Sequence, residues 1–164
     1  MTDPLATYIR DHLSGSRFAV ELLEWLREQH PEDPLGEFAA GMLLEVEQDK
    51  RVLEDALTRI DDGTPLVREA ASWVAEKAAE FKLKPGGLGT FEALELLALG
   101  ILGKMKIWEA MVKIAELDDR VRGIDFNKLA ASARLQHVQV EERRLEAILY
   151  AFAGVPEPHA PIPG

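Results

Sequence analysis

The chain reads as an all-α protein: a four-helix bundle with a short extra helix in the crossover between the second and third long helices. Three observations point there. Helical segments run over Pro4–His30, Pro34–Asp61, Pro65–Lys82, Thr90–Leu117 and Asp125–Ala153, four of them long and nearly matched. At ~1.5 Å per residue each long one spans about 40 Å, so they can pack side by side as equal rods. The turns within the first and last pairs are only a few residues long, which makes each pair an antiparallel hairpin. The middle connection instead contains a helix about 27 Å long, enough to carry the chain from one end of the bundle to the other. A plain five-helix up-down array is the rival arrangement, but it would favour a full-length fifth rod.

Local punctuation justifies each element in turn. Asp3-Pro4, Asp33-Pro34 and Thr64-Pro65 each set a capping oxygen before a proline, whose preset φ suits the first helical position. Thr90 is expected to cap the fourth segment after the breaker Pro85-Gly86-Gly87-Leu88-Gly89, read as a flexible turn, and Asp125 the last. Pro31, Gly63, Gly123 and Gly154 mark the stops. Residues 1–154 thus form one domain, and the proline-rich residues 155–164 an extended tail.

Composition narrows the function classes. A chain of 164 residues can bury a substantial core without disulfide or structural metal, and it has no cysteine, which removes thiolate nucleophiles, iron–sulfur clusters and Cys-based zinc sites. A net charge of −10 and a pI near 4.9 oppose binding to nucleic acid or to an anionic membrane. The sequence shows no run approaching the ~20 apolar residues of a membrane span and no signal peptide, so a cytoplasmic protein is expected.

Two long hairpins, a long central connection and carboxylates near mid-length resemble the ferritin-like superfamily, at the level of layout, over Pro4–Ala153. That resemblance implies a metal centre built from a Glu on each of two helices and a Glu-x-x-His on each of the other two. The motifs here depart from it. Glu45-Val46-Glu47-Gln48 has Gln in the place of His, Glu141-Glu142-Arg143-Arg144 has Arg, and Gly100–Met105 at the centre of the fourth segment contains no carboxylate. The standard di-metal site is therefore not carried over.

Polar residues that interrupt the apolar stripes are the remaining candidates. His12 repeats every seven residues with Leu5, Ala19 and Leu26; Asp49 does so with Leu35, Met42 and Ala56; and His137 follows Phe126, Ala130, Ala133, Val140 and Ile148. Ser16 and Lys104 fall at similar height. Two readings follow. In the first, these groups form a structural polar layer in which Asp49 holds His137, His12 or Lys104 and sets register. In the second, His12, Glu45, Asp49, His137 and Glu141 form a rebuilt site for iron, manganese or zinc. The first is preferred because the family spacing is missing, and with it a non-catalytic binding or scaffold protein rather than a metal-dependent redox or metal-handling one. An acid–base enzyme using the Asp–His pair is weaker still, since a bundle core offers no evident cleft. Gly100 and Gly103 within one helix suggest a close helix approach, a small bulge or a homodimer contact. Trp25, Trp73 and Trp108 read as core or interface anchors.

Overall fold

The computed structural model of the chain describes residues 3–61 and 83–158, which are helical throughout apart from turns and the C-terminal segment. The helices are α1 (Pro4–Gln29), α2 (Pro34–Ile60), α3 (Gly86–Leu117) and α4 (Phe126–Phe152), with a 3-10 turn at Asp119–Val121. The expected short helix Pro65–Lys82, its cap Thr64 and Trp73 lie outside the described residues. Proline and carboxylate start signals act as expected. The Asp3 side chain accepts from the backbone N–H of Leu5 and Ala6, Asp33 from that of Leu35, and Asp125 from that of Lys128.

Contacts at the helix ends give the directions. His30, just past α1, meets Thr90 near the start of α3. Asp3, just before α1, meets Arg120, just past α3, at 2.7 Å. α1 and α3 are therefore antiparallel. Phe91 packs edge-on against Phe152, with ring centres 5.3 Å apart, so α4 returns beside α3. Asp61, after α2, pairs with Arg10 early in α1. The helices therefore run up, down, down, up, with the end of α2 and the start of α3 at opposite ends of the bundle. α1 packs on α2 and α3, and α3 packs on α4. α2 and α4 meet more sparsely, through contacts such as Arg143 stacked 3.9 Å above the Phe38 ring.

The core is divided into two apolar halves. One, towards the His30 end, gathers Leu22, Leu23, Leu26, Met42, Val46, Leu94, Leu97 and Val140. The other gathers Ile9, Leu13, Leu53, Leu57, Ile107, Trp108, Met111 and Phe126. Trp108 is fully buried and stacked on Phe126, as befits a core anchor. Trp25 is half-buried beside the first half. α3 contributes to both halves and is apolar enough that a window of it reaches a mean hydropathy of 1.3. By length and composition alone it could cross a membrane, contrary to the expectation that no segment would. Here it is a bundle helix, and its buried residues lie within both halves of the core.

Three local expectations are corrected. α3 starts at Gly86, not Thr90, and the glycine-rich stretch read as a flexible turn forms its first turn. A Cβ at Gly87 would come within 2.5 Å of the Tyr150 carbonyl oxygen, so that glycine lets the end of α4 close on the start of α3. Gly100 and Gly103 mark no close helix approach, because a Cβ at either would meet nothing within 4 Å. On α4 the buried face runs Phe126, Ala130, Ala133, Gln136, Val140 and Ala147. Gln136 takes the core position expected for His137, and Ile148 is exposed.

Candidate functional site: a polar mid-plane beside a core cavity

Between the two apolar halves lies a layer built by α2, α3 and α4. Lys104 reaches in from α3 and its ammonium donates to Asp49 Oδ2 on α2 at 2.6 Å. It also donates to Gln136 Oε1 on α4. The Gln136 amide then donates from Nε2 to Glu45 Oε2 at 2.7 Å. Asp49, Lys104 and Gln136 are all at least nine-tenths buried, whereas Glu45 is exposed. A buried charge is costly unless paired and hydrogen-bonded, and here each partner meets that condition. Of the alternatives for Asp49, the structure selects Lys104.

The other candidates are not assembled around it. His12 is half-buried on α1 and touches the Tyr8 ring edge-on at 4.8 Å between centres. Burial pushes its pKa down, and the nearby Asp11 charge opposes that shift only in part. His137 is half-buried, one residue off the core face. Glu141 accepts from Arg144 at 2.7 and 2.8 Å, which holds its carboxyl below the usual range. Arg144 also reaches Glu95 at 3.4 Å, so its guanidinium neutralises two carboxylates. Among the described residues, no three His, Asp or Glu side chains gather into a group that could hold a metal ion.

Beside the layer, between α1 and α3 and reaching α2, is a pocket of about 230 Å³ that opens to solvent where Asp11, Gly15 and Gly100 are exposed. Val46, Leu53, Ile101 and Ile107 supply its apolar wall, while Gly15, Gly100 and Gly103 leave it wide. His12, Ser16 and Lys104 are its inner polar groups, and Asp11, on the exposed side of α1, is also part of its wall.

A second buried polar cluster, missed in the sequence, ties one end of the bundle. His30 Nδ1 lies 3.1 Å from Asp33 Oδ2, and Nε2 lies 2.9 Å from Thr90 Oγ1. The Thr90 hydroxyl reaches Glu157 Oε1 at 3.1 Å. The C-terminal segment is thus tied to the bundle at Glu157. Carboxylate, imidazole and hydroxyl in line is an arrangement that can activate a nucleophile. Here Thr90 is 3% exposed and its hydroxyl is already engaged by Glu157, so the cluster is a structural clamp. The sequence signal was present: a His ending one helix and an Asp capping the next, three residues apart.

Comparison with family models, curated proteins and solved structures finds no match to this chain.

Proposed function

We propose that this protein is a ferritin-like bundle whose mid-plane cation is a lysine ammonium rather than a metal ion, and that it serves as a non-catalytic binding or scaffold protein in the cytoplasm. The observation that carries this reading is Lys104 held by Asp49 and Gln136 at mid-height. Its positive charge lies among the carboxylate and amide oxygens near which the family layout would set metal. Helix directions of up, down, down, up support the fold assignment, and the pairing of Glu141 with Arg144 removes a second potential ligand. Self-association belongs to the same proposal, now through α4 rather than the glycine pair. Leu135, Val138, Leu145, Leu149 and Phe152 are each more than half exposed. With Glu142 they follow the alternating three- and four-residue steps of a coiled-coil seam, which a second copy of the same helix can match.

Elemental analysis of untagged protein by plasma mass spectrometry, before and after aerobic iron(II) loading, tests the mid-plane. Metal far below stoichiometry is expected in wild type and in His137→Ala alike. About one or two iron, manganese or zinc ions per chain, lost in His137→Ala or Asp49→Asn, would replace this reading with the metal-handling one. Light scattering tests the dimer, for which twice the chain mass of 18.2 kDa is expected and from which Leu145→Glu should release monomers. A monomeric wild type removes it.

A further inference from the structure

The geometry points to the α1–α3 cavity as a binding site for a small neutral molecule, about the size of one substituted aromatic ring and bearing a single hydrogen-bond acceptor. This rests on the reading of the protein as a non-catalytic binder and supplies the ligand class. Size comes first. A dry cavity of roughly 150 Å³ accepts benzene and drug-sized ligands need about 300 Å³ or more; the 230 Å³ here lies between them.

The acceptor follows from counting donors. A lysine ammonium has three N–H groups, and Asp49 and Gln136 accept from two of them. The third has no acceptor among the described residues, and Lys104 is 9% exposed and part of the cavity wall. A ligand carbonyl or ether oxygen would complete that set.

Neutrality follows from charge. Asp49 already balances Lys104, Asp11 belongs to the wall, and burial favours the uncharged form of His12, so an anion would find no uncompensated cation. The glycines supply an independent argument. Gly15, Gly100 and Gly103 lie inside helices, where glycine costs propensity against alanine. No neighbour within 4 Å of a Cβ at any of them demands its absence. Gly15 and Gly100 are exposed at the mouth of the pocket and Gly103 is half-buried in its wall, so side chains there would narrow its opening.

Acetophenone is the probe, with ethylbenzene as its counterpart lacking the carbonyl, titrated into the whole chain and followed by calorimetry and amide NMR shifts. Saturable one-to-one binding of acetophenone is expected, shifting Ser16, Gly100 and Gly103, with ethylbenzene at least about fivefold weaker. Gly103→Leu and, on the opposite wall, Gly15→Leu should each weaken acetophenone at least about tenfold while leaving the unfolding temperature unchanged or higher. Lys104→Met should abolish the preference for acetophenone, and should it fail to fold the two glycine variants decide alone. No saturable binding of either probe, binding unmoved by the glycine variants, or shifts confined to other residues would overturn the site. Stoichiometric metal in the elemental analysis would overturn the reading of the mid-plane, so the two failures are distinguishable.

Discussion

The middle of the bundle and its His30 end both bury polar side chains, yet they are built in opposite ways. At the end, His30, Asp33 and Thr90 fill their space and hold together the α1–α2 turn, the start of α3 and Glu157. Glycine there is sterically required: a Cβ at Gly36 would collide with the His30 carbonyl oxygen. In the middle, a full ion pair interrupts the core and borders open space, and the glycines are not required by any neighbour. Satisfied polar groups with tight packing contribute to stability and register. A charged layer beside a cavity gives up packing contacts, so the proposed binding site would be held at a cost in stability.

The largest expected effect breaks the middle. Lys104→Met leaves Asp49 buried without its cation and should destabilise by about 3–5 kcal/mol in urea denaturation. Asp49→Leu with Lys104→Met should recover most of that, because replacing both members of a buried pair by apolar groups is close to neutral. A double variant as unstable as the single one would show that the layer does more than satisfy its own charges.

The glycines sharpen the contrast through opposite signs. Gly36→Ala should cost about 1–3 kcal/mol by overpacking, and Gly100→Ala should gain about 0.5–1 kcal/mol of helix propensity, both read from thermal melts. Equal signs would erase the distinction between the two regions. At the end itself, Thr90→Val removes the hydroxyl shared by His30 and Glu157 and should cost about 1–2 kcal/mol, with faster amide exchange at Val155 and Glu157. A neutral Thr90→Val would mean the clamp is decorative.

The smallest effect is a pH dependence. The folded-state pKa of His12 lies below its unfolded value because burial disfavours the imidazolium. The unfolded chain therefore binds the proton first. This residue's contribution to stability is present above about pH 6.5 and lost as pH falls from there through the folded-state value. His12→Gln should flatten that part of the stability profile between about pH 7 and 5, and an unchanged profile would assign the dependence elsewhere.

The four long helices, three of their caps and the pairing into hairpins were legible from local chemistry. Asp3, Asp33 and Asp125 cap where expected because a cap depends on residues within one turn of itself. Asp49 was legible as inward-facing from the seven-residue repeat, and Lys104 as lying at a similar height. Which partner Asp49 takes was not, since heptad position gives a face but not the rotation and height of the facing helix. Gln136 shows the same limit: it and His137 both lie three or four residues from neighbours on the apolar stripe, and packing against α2 and α3 chose the amide. The His30 cluster depends on Thr90, sixty residues away, a proximity that no local pattern encodes.

The amino-acid sequence alone determined the helical character of the described residues, their start signals, the net negative charge and the presence of polar residues on apolar faces, because these follow from period, capping and composition. Tertiary structure decided the rest. It turned the presumed close-packing glycines into the open wall of a cavity, set Arg144 on Glu141, and gave Asp49 an ammonium for a partner. Each of these depends on distances between helices, and those are fixed by packing the whole core at once.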